Sequence, residues 1–458
     1  IGVRQGDTVA VLDWDTHRYL ECFFAVPMLG AILHTVNIRL SPAQILYTIN
    51  HAKDDVIIVH SDFWDMLVKM ASKIKRDVIF ILVHDTAPKD CLKTDPNIVG
   101  TYEDLLAKAN TDFNFPTFSE QTVATTFYTT GTTGEPKGVF YTHRQLVLHT
   151  LSILATFGPM AANNRFNQKD VYMPITPMFH VHGWGFPYAA TLLGVKQVYP
   201  GRYDAVHLLQ LIKQERVSFS HCVPTILHML LQADQGQNVD LSRWKVVIGG
   251  SSLPYGLAAS ALARGINVFA AYGLSETCPL LTVAQIDPDK GDDLNARCSA
   301  GWPAPMVDIR VVDENMVDVP RDGISTGEIV ARAPWLTDGY VGNKQASDNL
   351  WLGGYLHTGD VGRFDDAGRL LITDRIKDVI KSGGEWISSL TIESIASSCD
   401  NVAEVAAIAM PDAKWGERPL LLVVPINEMA LDKVTAAIEL AIEAEILVGN
   451  LSKWAMPE

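Results

Sequence analysis

The sequence predicts an α/β protein: a large multi-subdomain N-terminal body of parallel-type sheets, a small β subdomain, and a small α+β C-terminal domain. Three observations carry this expectation. Short β-branched or apolar runs at residues 9–12, 56–60, 78–83, 218–223 and 244–248 read as strands, and helical patterns at 205–215 and 257–264 lie between or beside them; such alternation favours layers built on largely parallel sheets. From residue 309 the texture shortens to β segments at 309–312, 328–333 and 370–373, separated by Gly/Asp turns, as in a smaller β-rich subdomain that closes the large region. Past the turn Asp365-Asp366-Ala367-Gly368, the pattern returns to α/β, with a helix over 391–398, a strand over 402–410 and a helix over 432–446. The expected division is therefore 1–373, a linker at 374–379, and 380–458. No internal repeat or low-complexity tract interrupts it.

Composition bounds the function. A chain of 458 residues exceeds one compact core and implies two or three domains. With 48% hydrophobic and 19% charged residues it fits a soluble globular protein, and no apolar run is long enough to span a bilayer. The net charge of −15 argues against a general nucleic-acid binder. Anionic substrates would need locally positive sites. Cys22, Cys91, Cys222, Cys278, Cys298 and Cys399 form no CxxC pair and no His/Cys cluster, so they read as reduced, mostly buried cysteines of a cytoplasmic protein.

The most informative stretch is Tyr128-Thr129-Thr130-Gly131-Thr132-Thr133-Gly134-Glu135-Pro136-Lys137-Gly138, which follows an apolar, β-branched approach. Glycines let backbone N–H groups come close to an anion, threonines add hydroxyl donors, and the lysine adds charge. This is the chemistry of a polyphosphate cradle. It is not the P-loop NTPase pattern, because Gly138 rather than Ser or Thr follows Lys137. A lone GxxG would read as a surface turn; so long an ordered string counts against that.

The loop resembles the phosphate loop of the adenylate-forming enzymes, which include acyl-CoA synthetases, luciferases and peptide-synthetase adenylation domains. Two further blocks resemble the same superfamily in the same order: Ala271-Tyr272-Gly273-Leu274-Ser275-Glu276-Thr277, and Leu356-His357-Thr358-Gly359-Asp360 followed by Asp374-Arg375-Ile376-Lys377-Asp378. Lys381-Ser382-Gly383-Gly384-Glu385-Trp386-Ile387-Ser388 is similar to medium- and long-chain fatty acyl-CoA synthetases in particular. The resemblance covers nearly the whole chain and implies a C-terminal domain hinged at 374–379. The opening Gly2–Asp7 stretch resembles an internal part of the family, so residues upstream are expected. The chain stops at Glu458, before the Gly-Lys segment that carries the family's adenylation lysine, so that lysine is expected to be missing from it.

Activating a carboxylate requires its oxygen to attack the α-phosphate of ATP while pyrophosphate leaves. Positioning, cations and N–H donors should dominate that catalysis. By resemblance, Thr129, Thr130, Gly131, Thr132, Thr133, Gly134 and Lys137 face the leaving phosphates. The Thr129 hydroxyl and Glu276 carboxylate hold Mg2+, a hard cation that also takes phosphate oxygens and water. Tyr272 stacks on adenine, flanked by Ala271 (commonly glycine in the family) and Gly273. Ser275 lies near the α-phosphate or acyl carbonyl, and Gly250 belongs to the turn where acyl and adenine groups meet. Asp360 accepts hydrogen bonds from the ribose hydroxyls. Arg375 holds ribose or phosphate, Lys377 is the hinge, Lys381 lies near the nucleotide, and Trp386 faces the CoA thiol. In Met178-Phe179-His180-Val181-His182-Gly183-Trp184, the His-x-His lacks the further partners zinc needs. The resemblance places His180 at the carboxylate end of the acyl site and Trp184 as a gate on the acyl tunnel; a plain core role for Trp184 fits equally well.

The expected activity is therefore a fatty acid–CoA ligase that uses ATP, Mg2+ and CoA. A CoA ligase for an aryl or other short organic acid is one alternative, and a non-catalytic nucleotide- or acyl-binding relative is another. A homodimer is compatible with this reading, with no nucleic acid and no transmembrane segment.

Overall fold

The computed structural model describes residues 1–84, 97–129, 135–161, 164–234, 239–286, 293–382, 385–399, 402–412, 414–425, 431–448 and 451–457. The chain divides into two compact units, Ile1–Asp308 with Ala331–Leu356, and Ile309–Val330 with His357–Glu458. The expected linker at 374–379 falls inside the second unit.

The first unit contains two seven-stranded sheets. One consists of β1 (Thr8–Leu12), β2 (Ile32–Thr35), β3 (Val56–His60), β4 (Ile79–Val83), β5 (Ile98–Thr101), β6 (Val123–Thr129) and β7 (Lys137–Thr142), in the order β5-β4-β3-β1-β2-β6-β7. All neighbours are parallel except β6 and β7. Strand side chains alternate between faces, so both faces of this sheet must be covered. Val9 and Val11 pack with Tyr19, Cys22 and Phe23 of helix His17–Met28. Ala10 and Leu12 pack with Ile45 and Ile49 of helix Pro42–Ala52 and with Trp64 and Leu67 of helix Ser61–Met70. That two-sided burial is why residues 56–60 read as an unbroken apolar strand.

The second sheet consists of β8 (Val171–Pro174), β9 (Lys196–Gln197), β10 (Phe219–Cys222), β11 (Lys245–Ile248), β12 (Asn267–Gly273), β13 (Leu280–Val283) and β14 (Trp302–Pro303), in the order β14-β13-β12-β11-β10-β8-β9. It repeats the plan of the first: parallel through β12, then antiparallel across β13 and β14. Helices Ala205–Glu215 and Pro224–Ala233 bury Leu208, Leu209, Ile212, Leu227 and Leu230 against its core, which centres on Trp244.

The second unit carries most of β15 (Asp308–Val312), β16 (Gly327–Arg332) and β17 (Leu356–Phe364), and all of β18 (Leu370–Arg375), as one four-stranded sheet. A second sheet follows, β19 (Ile380–Ser382), β20 (Glu385–Ile387), β21 (Val402–Asp412) and β22 (Gly416–Pro425), in the order β20-β19-β22-β21. Helix Leu431–Leu447 lays Val434, Ile438 and Ile442 against Ile392 and Ala396 of helix Ser389–Ser397, the four-residue spacing of one helical face. Among the described residues no helix is long and apolar enough to cross a membrane. None of the five cysteines among them forms a disulfide, and Cys22, Cys222 and Cys278 are buried.

Candidate active site

In each sheet of the first unit, the sequence motif lies where parallel pairing gives way to antiparallel pairing. Each motif also follows the carboxyl end of a parallel strand, β6 or β12, the end of an α/β sheet at which ligands bind. In the first sheet β6 and β7 form the arms of the threonine- and glycine-rich loop, with Thr129 opposite Lys137 and Tyr128 opposite Gly138. Thr130, Gly131, Thr132, Thr133 and Gly134 lie outside the described residues. Gly138 fits closely under its neighbour: a Cβ there would lie 3.0 Å from the Tyr128 ring, which would have to shift. Tyr128 in turn hydrogen-bonds Nδ1 of His51 through its hydroxyl at 2.8 Å and lies 5.2 Å, ring to ring, from His34. His34 pairs with Asp54 at 2.9 Å, both side chains fully buried. Burial raises the Asp54 pKa and His34 opposes that shift. This buried network braces the strand entering the loop, and no local sequence pattern marks it.

In the second sheet β12 delivers Ala271, Tyr272 and Gly273 to a one-turn 3-10 helix, Ser275–Thr277. Gly273 has no room for a side chain, because a methyl would collide with the Pro279 carbonyl. Tyr272 is buried. The Tyr141 hydroxyl donates to the Ser275 carbonyl at 2.6 Å, tying β7 to this turn. Glu276 accepts a 2.8 Å hydrogen bond at Oε1 from the hydroxyl of Tyr340, and the Lys137 ammonium sits 4.8 Å from the centroid of the same ring. The hairpin lysine, the motif carboxylate and Tyr340 thus form one cluster. Burial, then the charge and hydrogen bond of Glu276, raise the Tyr340 pKa, so its phenol stays a donor. Tyr340 is the site residue that sequence reading missed; its only local signal is the pair Gly339-Tyr340.

Met178–Gly185 approaches the same region in an unusual conformation. Val181, His182, Gly183, Trp184 and Gly185 all have positive φ, from 46° to 75°, which makes a left-handed turn. Three of them carry side chains, and left-handed backbone costs an L-residue about 1–2 kcal/mol. The surroundings hold the turn in place. Asp15 Oδ1 accepts the Met178 N–H at 2.7 Å, and Thr35 donates to the Phe179 carbonyl at 3.1 Å. Gly185 lies so close to the His149 ring that a Cβ would be 2.7 Å away. Backbone strain of this kind collects at functional sites. Its effect is to press Trp184, 9% exposed, onto the turn after β11: a Cβ on Gly249 would lie 3.0 Å from the indole and 3.3 Å from the Ala271 carbonyl. Gly250, at φ 78°, makes that turn. Trp184, Gly249, Gly250 and Ala271 therefore meet.

At the head of the left-handed turn, the His180 ring reaches solvent. The protein packed around it, and then Arg39, still lower its pKa from the ordinary imidazole value. Beside this segment lies a cavity of about 70 Å³ lined by Asp13, Trp14, Asp15, Arg39, Phe179 and Tyr203. Burial lifts the Asp15 carboxyl to about 7, opposed by the Met178 N–H and Arg39.

The second unit carries the remaining expected residues. Asp360 and Arg375 are opposite each other on β17 and β18, with Nε 3.4 Å from Oδ1; the Asp360 side chain is 8% exposed and that of Arg375 61%. Gly359 at φ 72° and the Thr358 hydroxyl, which accepts the Asp360 N–H at 3.1 Å, set this corner. Past β18, Asp374 is buried and accepts N–H groups from Arg375 at 2.7 Å and Ser389 at 2.5 Å. The start of helix Ser389–Ser397 is thereby tied to the end of β18. Burial raises the Asp374 pKa against those hydrogen bonds. Lys377 is exposed on the turn that follows. Lys381 donates its N–H to Glu417 at 2.7 Å and pairs with Trp386 across β19 and β20.

A sequence model of the AMP-binding enzyme family matches residues 1–341, and one of the AMP-binding enzyme C-terminal domain matches 391–458. The chain belongs to this family. It is 38% identical to a long-chain-fatty-acid–CoA ligase of Thermus thermophilus, across 100% of this chain and 82% of that protein. It is 36% identical to a 3-methylmercaptopropionyl-CoA ligase of Ruegeria lacuscaerulensis, across 100% and 84%. The crystal structure of the anthranilate CoA ligase AuaEII with anthranoyl-AMP superposes with a TM-score of 0.83 at 21% identity, covering 100% of this chain and 83% of that one, and shares its fold.

Proposed function

We propose that the protein is an ATP-dependent, AMP-forming fatty acid–CoA ligase that converts an acid and ATP to acyl-adenylate and pyrophosphate, then passes the acyl group to CoA. The observation that carries this reading is the meeting of Lys137 with Glu276 around Tyr340, beside the carboxyl ends of β6 and β12. Lys137 and Thr129 face the departing phosphates, with Thr130–Gly134 as the rest of the cradle. Tyr272, with Ala271 and Gly273, borders the adenine, and Ser275 faces the α-phosphate. Glu276, hydrogen-bonded through Oε1 only to a neutral phenol, and Thr129 supply hard oxygens that suit Mg2+. That ion would offset charge on the phosphate oxygens. Asp360 and Arg375 are assigned to the ribose and phosphate, Lys377 to the hinge, and Lys381 and Trp386 to the C-terminal face. His180 orients the acid's carboxylate as a neutral imidazole, and the glycine turn at Gly250 receives the acyl carbonyl. A homodimer and a cytoplasmic location belong to the same proposal, and sedimentation and fractionation read them.

A second reading, a short-acid ligase, is favoured by one observation: the outer edge of the Trp184 indole closes against Gly249 and Gly250, which would limit the length of an acid bound there. Acid-dependent ATP–pyrophosphate exchange tests the enzyme against a binding-only relative, which would show none. Run across chain lengths, it separates the two acids. A tunnel gains about 0.8 kcal/mol per buried methylene until full, so rising affinity to octanoate or beyond supports the fatty acid. A preference for short or aryl acids overturns it.

A further inference from the structure

We propose that Tyr340 is the positioning residue of the phosphate end of this site: one phenol ring holds the hairpin lysine apart from the motif carboxylate and orients both. This rests on the ligase reading above.

The backbone around Tyr340 is a strap sewn to both motifs. The indole N–H of Trp335 donates to the Thr277 carbonyl at 3.0 Å, and the Thr337 N–H donates to the Glu276 carbonyl at 3.1 Å. On the other side, the Thr337 hydroxyl donates to the Phe140 carbonyl at 2.8 Å, and the Val341 N–H donates to the Gly138 carbonyl at 2.8 Å. Tyr340 itself bridges to Val139, and its N–H donates to the Ser347 hydroxyl at 2.9 Å. Gly339 lets this happen, because a side chain there would strike Ser347. The ring therefore has little freedom.

Its two faces of chemistry then act on different groups. The hydroxyl donates to Glu276 Oε1 at 2.8 Å and so occupies that oxygen, leaving the carboxylate's other oxygen for a cation. The ring's electron-rich face attracts the Lys137 ammonium. Without the ring between them, a lysine and a glutamate that share one tyrosine could close into an ion pair and quench each other. No ion pair joins them among the described residues. Instead the cation is held for phosphate and the anion for metal, with the aromatic as spacer. A hydrogen-bond partner behind a metal-binding carboxylate is typically worth 10–100-fold in metal affinity or activity.

The test separates the two halves. Tyr340→Phe keeps the ring and removes the hydroxyl, and Tyr340→Leu removes both. The position is half-buried, so loss of one oxygen leaves the fold intact. Mn2+ is titrated, by its free-ion paramagnetic resonance signal, into enzyme saturated with a non-hydrolysable ATP analogue. ATP affinity is measured by calorimetry without divalent metal, in EDTA, and KM for the acid by pyrophosphate exchange at saturating Mg2+. Tyr340→Phe should raise the Mn2+ dissociation constant about tenfold, with ATP affinity and the acid KM within about twofold of the parent, the margin for a role confined to the metal. Tyr340→Leu should in addition weaken ATP several-fold, as Lys137 falls onto Glu276. Unchanged Mn2+ affinity in Tyr340→Phe overturns the proposal, and so does equal ATP affinity in the two variants. Glu276→Gln is the control on the underlying reading: if it leaves Mn2+ binding unchanged, the metal assignment fails, whatever the Tyr340 variants do.

Discussion

Replacing His182 with leucine should flatten the acid limb of the stability profile. His182 is fully buried and neither ring nitrogen has a hydrogen-bond partner. Its neighbours are the rings of Phe127 at 5.2 Å, Phe23 and Tyr141 at 6.0 Å, and Tyr188 at 6.1 Å. Burial drives its pKa from 6.5 to about 3. In the unfolded chain the ring takes up a proton below about pH 6.5; in the folded protein it resists until about 3. The stability this group leaves intact at neutral pH is therefore lost as pH falls through that window. At pH 4 the loss is about 3 kcal/mol, from roughly 2.5 units at 1.36 kcal/mol each. His149 and His221, also lowered to about 3 by burial, add losses of the same sign. Asp15 acts oppositely: a carboxyl raised to about 7 gains stability as pH falls from 7 towards 3.8. The whole-protein curve is a sum, and only the difference between variant and parent isolates His182. The leucine also removes two unsatisfied buried nitrogens, each costly to desolvate, so stability at pH 7 should equal or exceed the parent's. Guanidinium unfolding followed by fluorescence of the buried Trp244 and Trp335, repeated from pH 7 to 4, gives the difference. Parallel curves for parent and variant would refute the reasoning.

Two further substitutions address the assigned nucleotide contacts and the close approach of backbones. Asp360→Ala should weaken ATP by about 2–4 kcal/mol, the scale of two charge-assisted hydrogen bonds. The melting temperature should hold, because the Arg375 left behind is 61% exposed; unchanged affinity by calorimetry in a folded variant removes the ribose assignment. Gly273→Ala puts a methyl into the Pro279 carbonyl and should cost more than about 3 kcal/mol of stability, in the range of large single-site effects. A melting curve identical to the parent's would show that the turn after β12 can yield.

Which of these features were legible in the sequence follows from what sequence patterns encode. Residues 56–60 and 205–215 match β3 and helix Ala205–Glu215 at both ends, since two-faced burial and an amphipathic period are written locally. β22 escapes such a reading, because Glu417, Arg418 and Pro419 open it and it is held by its ladder with β21. The left-handed turn is harder still. No residue pattern announces positive φ at Val181, His182 and Trp184; that conformation is imposed by Asp15, His149 and Gly249 from distant parts of the chain. Tyr340 lies more than sixty residues past Glu276, between two β segments, where a Gly-Tyr pair reads as a turn. One structural fact about the site was nonetheless within reach. A parallel connection needs a crossover of a dozen or more residues, and the chain returns from Thr129 to Lys137, and from Gly273 to Leu280, in fewer. Both motifs must therefore sit on antiparallel turns at the margin of parallel sheets. At those margins a strand's carboxyl end is not covered by a crossover helix, and backbone and side chains can face a ligand. The motif spacing thus fixes more than residue types: it dictates that both loops open at the carboxyl ends of strands, and it is the Tyr340 strap that joins the two openings.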